Sequence, residues 1–311
     1  RIDCIKKVIT HLPYRITSLV ISAPAKVNLY LKVLNKRNDS YHNILTVFEK
    51  ISLADTIRIS KAPKAKAIAV VSDKSITRDP KDNLVYKAAE LILRRARINA
   101  GVKIEIKKRI PIGAGLGGGS SDAASTLVGI NKLLGLKLNK ATLVRLGAKL
   151  GADVPFFMFN SRFALGRSKG DRLNEISSKL RFWHLLVWPG FEVSTAKIYE
   201  AFDASKDLTG NSRDAKITLP LKHLNHFGTA ELMLHNDLEE IVRSKTGIIG
   251  SIIERLAQIT GKRFIVSGSG PSLFCLYRTK KEVIAARRML LSNVPAAERN
   301  SWQIFVTRTL N

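Results

Sequence analysis

The sequence predicts an α+β protein with two domains. Its 311 residues exceed what a single hydrophobic core usually serves. Segments in which apolar and polar residues alternate, typical of half-buried strands, are interspersed with segments whose apolar residues recur every three or four positions, typical of helices. With 45% hydrophobic and 25% charged residues, the composition is that of an ordinary globular protein. No apolar run reaches the ~18–20 residues that a membrane-spanning helix needs.

In the first half, strands are predicted at 19–21, 27–33, 46–60 and 102–107, with a surface strand within 61–75. Asn83 and Asn139 each precede a helical pattern and are predicted to cap it. A further helix, with apolar residues recurring from Ala123 to Leu134, is predicted to end at Gly135. The helix after Asn139 is predicted to end at Gly151. These elements indicate a first α+β layer.

The second half repeats this mixture. Strands are predicted at 185–187, 264–266, 273–277 and 302–307, and helices at 248–259 and 281–292. A loop of small residues, Ser267–Ser272, lies between two of these strands. We expect a domain boundary near 175–185, which gives an N-terminal extension over 1–17 and domains over 18–180 and 181–311.

The glycine-rich segment from Pro111 to Asp122 connects the strand at 102–107 to the following helix. Five of its glycines fall within seven residues, Gly113–Gly119. A helix N-terminus presents unpaired N–H groups and the positive end of the helix dipole, and glycines let an anion approach the backbone closely. The segment is therefore predicted to be a phosphate cradle, with a purely structural loop as the alternative.

Three familiar nucleotide-binding patterns fit this loop poorly. The spacing of Gly113, Gly115 and Gly118 matches the dinucleotide-binding fingerprint, but no Asp or Glu occurs between Asp122 and Asp153 to bind a ribose. A Walker A loop requires a lysine after its glycines, and here Gly119 is followed directly by serine. Protein-kinase Asp-Phe-Gly and His-Arg-Asp motifs are absent from the sequence.

The balance of charge is unusual, with 52 Lys and Arg against 25 Asp and Glu, a net charge of +27. Binding of nucleic acid, an anionic membrane or a polyphosphate substrate would explain it. A general basic bias spread over the surface would explain the net charge as well, and the scattered positions of the basic residues favour that interpretation. The two cysteines, Cys4 and Cys275, have no metal-binding or redox spacing and fit a reducing compartment.

A cradle without its own lysine needs a cation and a base from elsewhere in the chain. Lys26 is a candidate cation because small apolar residues flank it, although a surface lysine is the alternative. Asp153 is the best candidate base because it follows a helix and precedes Val-Pro, and helix capping is its alternative role. Tyr41 and His42 together can stack on a ring and hydrogen-bond it, although a lone histidine is more often structural.

Three segments, at 24–29, 111–121 and 267–272, resemble the three motifs of the GHMP kinases, which act on galactose, homoserine, mevalonate and related small molecules. Within that superfamily, five motifs in order are similar to those of the kinases of 4-diphosphocytidyl-2-C-methyl-D-erythritol, hereafter the diphosphocytidyl substrate. The motifs are Pro-Ala-Lys-Val-Asn-Leu at 24–29, Tyr-His at 41–42, Gly-Leu-Gly-Gly-Gly-Ser-Ser-Asp-Ala-Ala at 115–124, Gly-Ala-Asp-Val-Pro-Phe-Phe at 151–157 and His-Asn-Asp-Leu-Glu at 235–239. The loop Ser267–Ser272 resembles the third general motif of the superfamily.

The resemblance implies an N-terminal domain like domain 2 of ribosomal protein S5 and a ferredoxin-like C-terminal domain. It also implies transfer of the ATP γ-phosphoryl group to a hydroxyl of the methylerythritol moiety, a step of the non-mevalonate isoprenoid route. Asp153 would be the base, with Lys26 beside it. The ATP phosphates would contact Pro111, Ile112, Gly113, Ala114, Gly115, Leu116, Gly117, Gly118, Gly119, Ser120 and Ser121. The substrate would contact Asn28, Tyr41, His42, Thr195, Gly268 and Ser269, with Tyr41 and His42 on the cytosine side.

Further expectations follow from the resemblance. Mg²⁺ would be carried mainly by the ATP phosphates, with no separate metal site, and the protein would be a monomer or homodimer that binds neither a membrane nor a specific nucleic acid. It would act in the cytoplasm of a bacterium, with a plastid as the alternative. Another GHMP kinase, of the homoserine or mevalonate type, and a basic nucleic-acid-binding protein on an S5-like fold are the alternative functions.

One departure from the family pattern concerns the acceptor side. The family usually has glycine immediately before Tyr-His, and this chain has Ser40. If that position has a positive φ, serine there costs about 1 kcal/mol of strain or tilts Tyr41.

Overall fold

The computed structural model describes residues 17–62, 67–206 and 226–310. Apart from Thr17, the predicted N-terminal extension and Cys4 therefore lie outside the described residues. The strands are β1 (Ser18–Lys36), β2 (His42–Lys61), β3 (Ile68–Ser72), β4 (Val102–Lys107), β5 (Phe163–Arg167), β6 (Arg172–Ile176), β7 (Trp183–Trp188), β8 (His235–Asn236), β9 (Ile265–Val266), β10 (Leu273–Tyr277) and β11 (Gln303–Arg308).

The helices are α1 (Leu84–Ala96), α2 (Gly118–Leu134), α3 (Lys140–Leu150), α4 (Val154–Phe157), α5 (Thr195–Lys206), α6 (Phe227–Leu232), α7 (Glu239–Thr246), α8 (Ile249–Thr260), α9 (Lys280–Asn293) and α10 (Ala296–Ser301), with a short 3-10 turn at Pro80–Asp82. The α+β class is confirmed, and so are the predicted caps, since the side chains of Asn83 and Asn139 accept hydrogen bonds from backbone N–H groups of α1 and α3. Among the described residues, no helix is long and apolar enough to cross a bilayer.

Within the described residues, the first sheet has seven strands in the order β3-β4-β2-β1-β8, with β5 paired to β2 and β6 paired to β5. Its backbone is the long antiparallel pair β1–β2. The helices α1, α2 and α3 cover one face of the sheet, where Ile57, Ile59 and Ile104 pack against Ala123 and Leu127 of α2. This packing holds the start of α2, and thus the glycine loop, against the middle of the sheet.

Two irregularities in β1 determine what its central residues face. The register with β2 shifts between Pro24 and Ala25 and again between Asn28 and Tyr30. Bulges of this kind bend a strand and re-aim its side chains, and they are frequent beside active sites. Between the two shifts, Ala25, Val27 and Leu29 belong to one apolar core, whereas the alternate residues Lys26 and Asn28 lie along the cleft described below.

The second sheet has the antiparallel order β11-β7-β10-β9. Helices α8 and α9 pack on it through apolar side chains such as Leu256 and Leu290. The two sheets share a core, since Leu29 of β1 belongs to the same apolar cluster as Leu186 and Phe274. All strands of the second sheet lie within 181–311, but β8 pairs in parallel with β1, so the boundary near residue 180 stays a prediction.

Candidate functional site

A cleft of about 1070 Å³ lies between the two halves of the chain and contains the glycine loop. The loop changes direction through left-handed backbone at Gly113, Gly115 and Gly117. Helix α2 then begins at Gly118 without any side-chain cap. Its first N–H groups therefore point out of the helix with no capping side chain to satisfy them, which is the arrangement predicted for an anion cradle.

The loop Ser267–Ser272 packs directly on the glycine loop. A Cβ on Gly115 would lie 2.4 Å from the carbonyl oxygen of Ser267 and 2.7 Å from that of Gly270, so only glycine fits. In addition, the Ser267 hydroxyl donates to the Gly115 carbonyl at 3.3 Å. The two small-residue segments singled out in the sequence therefore form one structure, held together through its backbone.

Polar side chains fix the second loop from the other side. The Asn236 amide donates to the carbonyl oxygens of Val266 and Gly268, each at 2.8 Å. The hydroxyls of Thr195 and Ser269 are hydrogen-bonded at 2.7 Å. Thr195, Gly268 and Ser269 all line the cleft, as expected. Asn236 belongs to one of the five motifs, but the sequence did not predict that its side chain would hold the second loop.

Lys26 lies where the two halves of the cleft meet. Its side chain is buried, which excludes the alternative of a surface lysine. The ammonium donates to Oδ1 of Asn28 at 2.7 Å and lies 3.6 Å from Oδ2 of Asp153. The backbone N–H of Lys26 donates to the carbonyl of Leu116 at 2.9 Å, so β1 and the glycine loop are joined at the cation itself.

Asp153 immediately precedes α4 and makes no capping hydrogen bond to that helix. Its alternative role as a helix cap is therefore not what the geometry shows. The side chain is one-third exposed, at 32%, and faces both Lys26 and the cleft. Burial, assisted by the negative charges of Asp153 and Asp237, raises the pKa of the neighbouring Tyr199 above its ordinary value.

Asn28 is oriented by residues that sequence reasoning missed. Its amide donates to the Thr46 hydroxyl at 2.7 Å, and that hydroxyl donates to the carbonyl of Tyr30 at 2.7 Å. With Lys26 donating to its oxygen, the Asn28 side chain is held at both ends. No local sequence signal marks Thr46, because it lies on β2 and meets Asn28 only through strand pairing.

His42 is held at the far end of the cleft by the side chains of Asp203 and Tyr199. Nε2 lies 2.6 Å from Oδ1 of Asp203, and the ring stacks on Tyr199 with centroids 4.9 Å apart. Lys36 also pairs with Asp203, at 2.8 Å. Burial raises the pKa of Asp203, but hydrogen bonds from Lys36 and His42 outweigh this and hold it below its ordinary value. Tyr41, next to His42, is 52% exposed at the mouth of the cleft.

The structure brings together nearly all of the predicted site residues. Pro111 to Ser120 line the cleft with the substrate-side residues, whereas Ser121 is buried beneath the loop. The opposite end of the cleft extends beyond the predicted loop to residues that the sequence prediction lacks as site residues, namely Ile76, Thr77, Asp82, Asn83, Leu84 and Lys108.

A buried charged cluster lies under the start of α2. The ammonium of Lys108 donates to Asp55 at 2.5 Å and to Asp122 at 2.8 Å. Asp55 also accepts from the backbone N–H groups of Arg109 and Ile110, so both of its oxygens are used. Oδ1 of Asp122, in contrast, is buried and has no hydrogen-bond partner in the part of the chain that the structure describes.

Protonation differs between the members of this cluster. Burial raises the pKa of Asp122 to about 7, even though Lys108 opposes the shift. Burial lowers the pKa of Lys108, but Asp122 and Asp55 outweigh it, so that pKa lies above its ordinary value. The cluster therefore places a fixed cation, Lys108, beside the carboxyl of Asp122, which can exchange a proton near neutral pH.

The described residues contain no group of three or more His, Cys, Asp or Glu side chains that could hold a metal ion. The carboxylates of Asp55 and Asp122, under the start of α2, are both engaged with Lys108. The donor set therefore fits a divalent cation that would arrive with phosphate oxygens better than one held by the protein alone.

Comparisons with known proteins agree with this geometry. The GHMP kinases N terminal domain family matches residues 83–161, and the GHMP kinases C terminal family matches residues 221–296. The 4-diphosphocytidyl-2-C-methyl-D-erythritol kinase of Pelobacter propionicus is 38% identical over 296 residues, covering 94% of this chain and 99% of its own. That of Geobacter metallireducens is 34% identical over 293 residues, with the same coverage.

Solved structures lead to the same family. A crystal structure of 4-(cytidine 5'-diphospho)-2C-methyl-D-erythritol kinase matches with a TM-score of 0.72 and 31% identity, over 94% of this chain and all of that one. Homoserine kinase from Cytophaga hutchinsonii matches with a TM-score of 0.67 at 18% identity, over 94% of this chain and 95% of its own, and shows the shared fold alone. The expectation of an ATP-dependent small-molecule kinase is confirmed. This chain belongs to the 4-diphosphocytidyl-2-C-methyl-D-erythritol kinase family of the GHMP kinases.

Proposed function

We propose that this enzyme transfers the γ-phosphoryl group of ATP to a hydroxyl of the methylerythritol moiety of the diphosphocytidyl substrate, within the non-mevalonate isoprenoid route. The observation that carries the proposal is the Lys26–Asp153 pair, at 3.6 Å, between the glycine loop and the Asn28–His42 side of the cleft. Phosphoryl transfer requires mainly positioning and charge neutralisation, and this pair is placed for both.

The glycine loop and the start of α2 would bind the ATP phosphates. The N–H groups of the first turn supply donors, and the helix dipole favours negative charge there. The purine and ribose would extend toward the end of the cleft formed by Ile76, Thr77 and the start of α1 at Leu84, because the opposite direction leads to Lys26 and Asp153. The γ-phosphate would then lie next to Lys26.

Asp153 would act as the base. The acceptor hydroxyl oxygen attacks the γ-phosphorus, the bond from that phosphorus to the β–γ bridging oxygen breaks, and the hydroxyl proton passes to the Asp153 carboxylate. ADP leaves with the electron pair of the broken bond. Lys26, 3.6 Å from Asp153, would neutralise charge on the transferring group. Mg²⁺ would enter with ATP, held mainly by its phosphate oxygens and water.

The cytidine end would occupy the side formed by Tyr41 and His42. With Nε2 of His42 donating to the Asp203 carboxylate, Nδ1 would serve as an acceptor, which suits an exocyclic amino group. Tyr41 offers an exposed aromatic face for stacking. Asn28, held at both ends, would orient the methylerythritol hydroxyls between these groups and Asp153.

The test is ADP release on mixing the enzyme and ATP with the diphosphocytidyl substrate, homoserine or mevalonate in parallel. Turnover is expected with the first compound alone, with ³¹P NMR showing a new phosphomonoester. Turnover on homoserine or mevalonate with none on the diphosphocytidyl substrate would overturn the proposed acceptor. The monomer or homodimer and the bacterial cytoplasmic location stay predictions.

A further inference from the structure

We propose that Arg37 is a positioning residue for the diphosphocytidyl substrate. It fastens together the two turns at the mouth of the cleft, the turn between β1 and β2 and the turn between β5 and β6. The first turn carries Tyr41 and the second carries Lys169, whose ammonium lies 4.9 Å from the centre of the Tyr41 ring. The inference rests on the proposed function, since it concerns the acceptor side of that same cleft.

The whole guanidinium of Arg37 is engaged. Nε and Nη2 donate to the two carboxylate oxygens of Asp39, at 2.9 and 3.0 Å, in a bidentate pair within the first turn. Nη1 donates across to the Ser168 hydroxyl at 2.9 Å and to Oδ1 of Asn43 at 3.2 Å. The planar guanidinium can donate to Asp39, Ser168 and Asn43 at the same time because its N–H groups point in different directions. A lysine ammonium cannot make all of these hydrogen bonds.

Both turns contain a serine in a conformation that favours glycine. Ser40 has φ 65° and Ser168 has φ 60°. A non-glycine residue is strained in this left-handed conformation, because its Cβ crowds the backbone. At Ser168 the side chain supplies the acceptor for Arg37, which glycine would lack. The strain at Ser168 is thus coupled to a contact between the two turns.

This contact reaches the surface that the substrate would meet. The carbonyl of Ser168 accepts a hydrogen bond from the N–H of Ile44 at 2.7 Å, and the carbonyl of Tyr41 accepts one from the backbone N–H of Arg37 at 2.7 Å. Tyr41 is half exposed, so packing in the core does not fix its ring. Its position depends on the turn that carries it, and that turn is held by Arg37.

The reacting groups are held by other contacts. Lys26 is tied to the glycine loop and to Asn28, and Asp153 lies at the junction of α3 and α4. Loosening the mouth of the cleft should therefore weaken binding of the diphosphocytidyl substrate and leave ATP binding and the chemical step almost unchanged. Loss of a residue that served stability alone would not weaken binding of the diphosphocytidyl substrate while leaving ATP binding and the chemical step unchanged.

The experiment compares steady-state kinetics of Arg37→Lys with Arg94→Lys, a control in which an exposed arginine on α1 is paired with Glu90. For Arg37→Lys we expect KM for the diphosphocytidyl substrate to rise about tenfold, as loss of about 1.4 kcal/mol of binding would produce, with kcat and KM for ATP within about twofold of wild type. Arg94→Lys should change none of the three. Thermal unfolding would confirm that both variants are folded.

A double-mutant cycle tests the link to Ser168. Ser168→Ala should raise the same KM about threefold in wild type and should have no effect when Arg37 is already lysine, because the two residues act through one hydrogen bond. Additive effects, or an unchanged KM in Arg37→Lys while wild type turns over normally, would overturn this inference alone. Absence of wild-type turnover on the diphosphocytidyl substrate would overturn the proposed function and this inference with it.

Discussion

The two halves of the cleft are built from different parts of the polypeptide. The half that we propose binds ATP, hereafter the nucleotide half, is mainly backbone: glycines with positive φ, the uncapped start of α2, and carbonyl contacts between two loops. The half that we propose binds the diphosphocytidyl substrate, hereafter the acceptor half, is mainly side chains, among them Asn28, His42 and Tyr41, held by partners on other elements. A backbone site requires particular residue types in one short run, whereas a side-chain site can be assembled from anywhere in the fold.

This difference determines how each half should respond to substitution. In the nucleotide half, added atoms are harmful because the backbone contacts leave no room for them. In the acceptor half, lost atoms are harmful because each side chain depends on a partner. The Lys26–Asp153 pair belongs to both, since Lys26 is tied by its backbone to the glycine loop and by its ammonium to Asn28.

The largest effect is expected at the junction of the halves. Asp153→Asn keeps the shape of the side chain but removes the base, so kcat should fall by about 10²–10⁴-fold. ATP affinity, measured by calorimetry, should stay within a few-fold of wild type, because the glycine loop is unchanged. A variant that keeps near wild-type kcat would show that Asp153 is not the base.

A second variant adds atoms to the nucleotide half. A Cβ on Gly117 would lie 3.0 Å from Cγ of Lys26 and 3.0 Å from Cζ of Phe157, at φ 69°. Gly117→Val should therefore lower ATP affinity by about 100-fold or more, since strain and crowding together cost several kcal/mol.

The matched control is Gly135→Val at the other end of α2. Gly135 has a similar φ of 63°, but no atom lies within 4 Å of the Cβ that it would gain. It should lose stability through backbone strain and keep its ATP affinity. Equal ATP affinities in the two variants would mean that crowding at the loop is irrelevant and that the cradle lies elsewhere.

The same difference explains how much of the site could be predicted. The glycine loop, the strand before it and the helix after it are all visible locally, because backbone geometry restricts the residues allowed. The helix nevertheless starts at Gly118, inside the glycine run, where helix propensity is poor. A Cβ there would lie 3.0 Å from Ile110 and 3.3 Å from the Lys108 ammonium, so close packing overrides propensity.

The acceptor half could be predicted only in part. Tyr41 and His42 were visible as a pair, but His42 and Asp203 are 161 positions apart, and no local pattern connects them. Asp203 lies on α5, which the sequence prediction lacks, because its buried apolar residues Ile198 and Phe202 repeat over a single turn. Strand pairing brings Thr46 to Asn28, and such partners follow from topology rather than from spacing.

A smaller effect concerns the cluster beneath the nucleotide half. Because burial raises the pKa of Asp122 to about 7, the folded protein keeps a proton that the unfolded chain releases near pH 4. The unfolding free energy should therefore fall as pH rises from about 4 to about 7. Asn at position 122 mimics the neutral acid, so the unfolding free energy of Asp122→Asn should not share this fall. The difference in unfolding free energy between the variant and wild type should therefore increase in favour of the variant as pH rises across this range, as measured by urea denaturation.

Nucleotide binding offers a second measurement on the same variant. Bound phosphates above the cluster would further favour the protonated form of Asp122, so the ATP affinity of wild type should fall a few-fold as pH passes about 7. In Asp122→Asn this decline should be reduced to what ATP's own ionisation causes. If ATP affinity depended on pH in the same way in the two proteins, Asp122 would not exchange a proton in this range, and this prediction would be wrong.

The smallest effect is expected in the acceptor half, at Ser40. Its φ of 65° meets the condition under which serine in place of the family's usual glycine carries strain. Ser40→Gly should raise the unfolding free energy by about 1 kcal/mol at most, because glycine relieves the left-handed strain but also gains freedom in the unfolded chain. KM for the diphosphocytidyl substrate should change by about twofold or less, since Arg37 rather than Ser40 holds the turn. A large fall in that KM would show instead that Ser40 tilts Tyr41 away from its binding position, which would make the backbone as decisive on the acceptor side as on the nucleotide side.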